Sequence, residues 1–148
     1  MSLFSPIVWV LLLNLSTPAN LPTLDVQVLL ATPKPDMTLV NKAVKAPELN
    51  RVFAKHKLKH FYVLEDVTIS FEGVEPSQGR VLSLPKGRSA RFVYSGQTTE
   101  HHVLEFSLPD YQVMAQLRVP GSHTFYQAGI KHEGGMIILK MRLNPFKK

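Results

Sequence analysis

The sequence predicts an α+β fold that is mostly antiparallel β-sheet, a sandwich or meander of about seven strands with one helix after the first strand. Three observations support this. Apolar and polar residues alternate through most of the chain after residue 24, which is the period of strands with one buried face. Pro- and Gly-containing turns recur at short intervals. One segment, around Pro47, has apolar residues at helical spacing instead.

The composition is that of a globular domain. The chain has 148 residues, of which 45% are hydrophobic and 19% are charged, so it can bury a core without a disulfide or a metal. We predict a single domain over residues 20–148. Because the chain contains no cysteine, disulfides, thiolate nucleophiles and cysteine metal sites are excluded.

Residues 1–19 have the pattern of a cleaved signal peptide. Ile7 to Leu13 is an apolar run, too short for the roughly 20 residues of a membrane-spanning helix. Thr17 and Ala19 supply the small residues that cleavage after Ala19 requires. The segment before the run has no Lys or Arg, so a buried first strand is the alternative. A cleaved signal predicts a periplasmic or secreted protein.

A strand and a helix open the predicted domain. The segment from Leu24 to Ala31 alternates, which predicts a strand with Leu24, Val26, Val28 and Leu30 on one face. The helix follows in KAPELNRVFAKHKLKH, where Pro47 suits the first turn and Glu48 complements the helix dipole. Its expected apolar stripe consists of Leu49, Val52, Phe53 and His56.

Strands account for the rest of the chain. In FYVLEDVTISFEG the apolar alternation is interrupted at Glu65, which predicts a bulge or a strand break at Glu65–Asp66. Three strand pairs should follow, each joined by a turn. The turns are centred on Pro85 and Gly87, on Pro109 and Asp110, and on Glu133, Gly134 and Gly135.

Positive charge is concentrated around the predicted helix. Lys and Arg number 17 and Asp and Glu 11 in the whole chain, and in this region the cations face only Glu48. They are Lys42, Lys45, Arg51, Lys55, Lys57 and Lys59. Such a basic helix suits an acidic protein or an anionic membrane surface, but it also suits a solvated face whose lysine stems cover apolar surface. No nucleic acid is expected, because the aromatic residues alternate as core residues do.

No motif predicts catalysis or a cofactor. The chain lacks both the glycine-flanked serine of hydrolases and a phosphate-binding loop. His56 and His60 have the spacing of two metal ligands on a helix, but Lys57 and Lys59 would repel a cation, so we predict no metal site. A carboxylate pair for glycoside hydrolysis stays open, because spacing in sequence does not report distance in space.

The order of the elements resembles a group of small exported proteins of unassigned function from deltaproteobacterial-type Gram-negative bacteria. The similarity lies in FYVLEDVTISF, the LPKGR turn, the short strands after it and the closing IKHEGGMIILKMRL. It implies an envelope location and an α+β domain, and it carries over no active site.

These features predict a non-catalytic exported interaction module, a periplasmic or envelope-associated subunit. It would bind other envelope proteins or itself through a sheet edge or the basic helix. The alternative is a small-ligand or glycan-binding domain or a hydrolase, with a pocket between helix and sheet. A flat surface favours the first function, and a deep pocket with converging carboxylates or histidines favours the second.

Overall fold

The computed structural model describes residues 21–73, 79–120 and 122–144. This part of the chain is mostly antiparallel β-sheet, as predicted, and it forms two separate sheets. The predicted signal peptide, residues 1–19, lies outside the described residues. In the three described ranges, no helix has the length and apolarity needed to cross a membrane.

The described residues form nine strands and one α-helix. The strands are β1 (Thr23–Thr32), β2 (Ala43–Val44), β3 (His60–Ser70), β4 (Arg80–Leu84), β5 (Arg88–Gln97), β6 (His102–Leu108), β7 (Val113–Val119), β8 (Thr124–His132) and β9 (Gly135–Asn144), and the helix is α1 (Pro47–Val52). Short 3-10 segments lie at Met37–Lys42, Ala54–His56, Pro85–Gly87 and Pro109–Tyr111. The sequence did not predict β2, because two residues are too few to show an alternation.

The described chain divides into two compact units. The first, called the five-stranded unit, comprises residues 24–68 and 124–142, with strand order β2-β3-β1-β9-β8. One face of its sheet packs against α1 and the turn after it. The core there consists of Leu29, Ala31, Leu49, Phe53, Leu58, Phe61 and Ile138. On the other face of β1 the four predicted side chains, Leu24, Val26, Val28 and Leu30, are all buried.

Helix α1 is shorter than the sequence predicted. Leu49 and Phe53 are buried as expected, but Val52 is 53% exposed and His56 is exposed too, so the predicted stripe is wrong at these two positions. The reason is that the chain leaves the α-helix after Val52. Phe53 has φ −105° and ψ 14°, and Lys57 ends the following 3-10 turn in the left-handed region.

Strand β3 runs without a break, but its side-chain alternation shifts near Glu65. Phe61 and Val63 pack into the core under α1. Farther along, Asp66 accepts a hydrogen bond from Gln27, which lies on the same face of β1. On this face β3 presents odd-numbered side chains up to Val63 and even-numbered ones from Asp66. Because the side chains of β1 keep their alternation, β3 must contain one extra residue between Val63 and Asp66. This irregularity is the predicted bulge.

The second unit, called the four-stranded unit, comprises residues 21–23, 69–73, 79–120, 122–123 and 143–144. Its sheet is a meander in the order β4-β5-β6-β7, and two of the three predicted turns join its strands. Phe92 of β5 lies opposite Phe106 of β6, with ring centroids 5.4 Å apart. Both rings are buried. The third predicted turn joins β8 to β9 in the five-stranded unit, where His132 pairs with Gly135.

Candidate interaction surface

The six cations assigned to a basic helix are all exposed, but they do not lie on one helix. Only Arg51 belongs to α1. The others lie before and after it, at Lys42, Lys45, Lys55, Lys57 and Lys59. The predicted basic helix is therefore wrong in its geometry, because α1 has six residues and makes fewer than two turns.

Two of these cations, Lys45 and Lys59, line the same groove. It is an open depression of about 420 Å³ between the β2–α1 connection and the start of β3. Its other lining residues are mostly small or apolar, namely Ala43, Val44, Ala46, Pro47, Phe61, Asn50, His60 and Tyr62. We call it the basic groove. Lys45 and Lys59 thus contribute two positive charges to the lining of an open, largely apolar depression.

Little acidic charge opposes these cations. Glu48 is the only acidic residue between residues 37 and 59, and its carboxylate lies 3.9 Å from Nζ of Lys140. Asp36, just outside this range, accepts hydrogen bonds from the backbone N–H and the hydroxyl of Thr38. Within this segment, six Lys and Arg side chains therefore stand against one carboxylate.

A short loop begins and ends at Tyr62, which lines the basic groove. The backbone N–H of Asp36 donates to the Tyr62 hydroxyl at 2.8 Å, and Ala43 is the strand partner of the same tyrosine. Between these two anchors lies the 3-10 segment Met37–Lys42, in which no side chain is buried. Met37 is 77% exposed and Val40 is 59% exposed. We call this segment the 37–42 loop.

A second depression, of about 360 Å³, lies on the sheet of the five-stranded unit and is mainly polar. Its lining residues are Asp25, Gln27, Asp66, Thr68, Thr124, Lys140 and Arg142. Across β1 and β3, Thr68 donates to Asp25 at 2.7 Å and Gln27 donates to Asp66 at 3.0 Å. We call it the polar cleft. The sequence did not bring these carboxylates together, because they lie on strands that are distant in sequence.

The two candidate metal-ligating histidines lie in different local structures. His56 lies in the 3-10 turn after α1, with its ring centroid 6.2 Å from that of Phe53. His60 begins β3 and lines the basic groove. Within the described ranges, no three His, Asp or Glu side chains are grouped as a metal site requires.

The clearest shifts in acid–base behaviour occur in the four-stranded unit, at Tyr94 and His102. The tyrosine hydroxyl lies 2.8 Å from Nδ1 of the imidazole. Burial raises the pKa of Tyr94 to about 12 and lowers the pKa of His102. Both groups are therefore held neutral, which suits a structural hydrogen bond better than proton transfer near neutral pH. Sequence spacing gave no signal for this pair.

Comparisons with protein-family models, curated proteins and solved structures found no match.

Proposed function

We propose that this protein is a non-catalytic exported interaction module that binds an anionic partner through the basic groove and the cations around it. Its place would be the periplasm or cell envelope, as the pattern of residues 1–19 suggests. One observation carries the proposal: Lys45 and Lys59 line one open groove, while the only carboxylate of the segment is near Lys140.

The shape of the surface supports binding rather than chemistry. The basic groove is open and contains no carboxylate, so its lining offers no acid–base pair of the kind that glycoside hydrolysis uses. Exposed cations on such a surface accelerate encounter with an anionic partner and set its orientation. The apolar wall then offers area that a partner can bury.

Binding of a fluorescent polyglutamate peptide, followed by anisotropy, tests the role of charge. The variant Lys45→Gln/Lys59→Gln should weaken binding at low salt by about five-fold or more, because each exposed ion pair contributes up to about 1 kcal/mol. The matched control, Lys86→Gln/Lys131→Gln, removes the same charge from exposed positions elsewhere and should have little effect. Equal weakening by both variants would contradict the proposal, as would failure of the unaltered protein to bind either polyglutamate or anionic vesicles.

A second candidate function rests on the polar cleft. Two carboxylates, an amide, two hydroxyls and two cations converge there, which are the groups that bind sugar hydroxyls and other polar small molecules. Calorimetric titration with N-acetylglucosamine oligomers tests it. Binding that Asp66→Asn abolishes would favour this alternative, and absence of heat would count against it.

A further inference from the structure

We infer that the 37–42 loop and the basic groove together form a docking face for an anionic lipid bilayer. This inference rests on the proposed function, since the same cations are assigned to an anionic partner. It adds the chemical class of that partner and a role for exposed apolar residues that charge alone does not explain.

The 37–42 loop has the exposure expected of a membrane-inserting tip. Both of its ends are fixed at Tyr62, through the Asp36 N–H and through the strand pairing of Ala43. Between them, Met37 and Val40 present apolar side chains to solvent. Transfer of each side chain from water into the acyl boundary would be favourable by an amount proportional to the apolar area removed from water.

Three lysines lie in or near the 37–42 loop, either at its end along the chain or on the basic groove beside it. Lys42 ends the loop. Lys45 lies three residues after Lys42, directly after β2, and lines the basic groove. Lys59, which follows α1 along the chain, lines the same groove. Phosphate groups of anionic lipids attract lysines at such positions, with about 1 kcal/mol for each lysine near the surface.

The exposed apolar residues favour lipid over an acidic protein as the partner. Within residues 37–59, all of which the structure describes, the large exposed apolar side chains are those of Met37, Val40, Val44 and Val52. Flexible or small aliphatic chains beside several lysines suit a fluid bilayer, which needs no fixed shape complementarity.

Flotation with unilamellar vesicles tests the inference. The protein is expressed as the full chain, with its N-terminus left as the host processes it, so that all variants share the same N-terminal form. Vesicles of phosphatidylglycerol mixed with phosphatidylcholine are compared with vesicles of phosphatidylcholine alone. We expect binding to the anionic vesicles, much weaker binding to the neutral ones, and loss of the difference at high salt.

Two matched pairs of substitutions locate the contact. Met37→Ser/Val40→Ser should lower the partition coefficient into anionic vesicles by about ten-fold or more. Val81→Ser/Met114→Ser changes residues that are 65% and 83% exposed in the four-stranded unit, and it should leave the partition coefficient unchanged. Because all four side chains are exposed, each variant should unfold at the temperature of the unaltered protein, which circular dichroism verifies.

Three outcomes would overturn the inference: no binding to anionic vesicles, equal binding to neutral vesicles, or undiminished binding of Met37→Ser/Val40→Ser. The polyglutamate experiment separates this failure from failure of the proposed function. If polyglutamate binding depends on Lys45 and Lys59 but vesicles are not bound, the partner is an acidic protein and only the lipid inference is wrong. If neither probe is bound, both proposals are wrong.

Discussion

The Tyr94 hydroxyl and Nδ1 of His102 lie 2.8 Å apart, and the two ring centroids are separated by 5.9 Å. The two residues lie on neighbouring strands, β5 and β6, whose pairing shifts register between Tyr94 and Gly96. When the imidazole proton is on Nε2, the hydroxyl donates to Nδ1. Since burial disfavours both the tyrosinate and the imidazolium, the pair stabilises the fold only while both rings are neutral.

Acid should therefore destabilise the protein through His102. The lowered pKa of this imidazole means that its contribution to the free energy of unfolding is complete above the pKa of the unfolded chain, about 6.5, and is lost as the pH falls through the folded pKa. Urea unfolding at pH 7 and pH 5 measures the loss. His102→Asn keeps an acceptor but cannot titrate, so its stability should depend less on pH. His56→Asn, at an exposed site, is the control and should behave like the unaltered protein.

At high pH the stability contributed by Tyr94 changes in the opposite direction, because it is lost as the pH rises. Its pKa of about 12 lies above the ordinary value of 10.0, so its contribution is complete below pH 10 and declines as the pH rises towards 12. The ultraviolet absorbance of tyrosinate should show a component that appears late in the titration. Tyr94→Phe should remove part of it, leaving the part due to Tyr126, whose pKa is also raised by burial and by Glu48. If Tyr94→Phe removes only an early component, the Tyr94 hydroxyl is not buried as the structure describes.

Two adjacent glycines in the β8–β9 turn should differ in their tolerance of alanine. A Cβ on Gly135 would meet the carbonyl oxygen of Ala31, whereas a Cβ on Gly134 would meet nothing. Gly135→Ala should lower the free energy of unfolding by about 2 kcal/mol or more, because backbone must shift. Gly134→Ala should cost about 1 kcal/mol, from its φ of +79° alone. Chemical denaturation of both variants measures their free energies of unfolding. A larger decrease for Gly134→Ala than for Gly135→Ala would contradict the prediction.

Glu133 offers a stabilising substitution. It has φ 42° and precedes Gly134 with φ 79°, so both central residues of this two-residue turn are in the left-handed region. Asparagine tolerates that conformation better than glutamate does. Glu133→Asn should raise the free energy of unfolding by about 0.5 kcal/mol. Glu133→Gln removes the same charge but keeps the backbone strain, so a gain of equal size in this control would assign the effect to charge.

Leu49 and Val52 test the corrected helix. The sequence placed both on one apolar stripe, but Leu49 is 1% exposed and Val52 is 53% exposed. Leu49→Ala should cost about 2–4 kcal/mol, through lost burial and a cavity in the core. Val52→Ala should change the free energy of unfolding by less than about 0.5 kcal/mol. If thermal unfolding shows similar losses of stability for the two variants, Val52 is buried as the sequence predicted and the shorter helix is wrong.

Much of the fold could be predicted because strands and turns have local signals. Leu24 and Val26 alternate with polar neighbours, and both are buried in β1. The three hairpin turns were recognised from Pro and Gly, whose backbone preferences act within a few residues. The helix was recognised at Pro47, but its end was not, because the left-handed Lys57 has no sequence pattern of its own.

The sequence by itself determined the excess of strand, the positions of the turns, the lack of cysteine chemistry and the six cations near α1, since composition and short periods report these directly. Only the tertiary structure decided that β3 joins β1, β9 and β8 in one sheet while β4 to β7 form another. It alone placed Lys45 and Lys59 on one groove. It alone also formed the hydrogen bonds between Asp25 and Thr68 and between Tyr94 and His102. The physical reason is that these contacts depend on strand pairing and chain reversal, which fix distances that spacing along the chain does not encode.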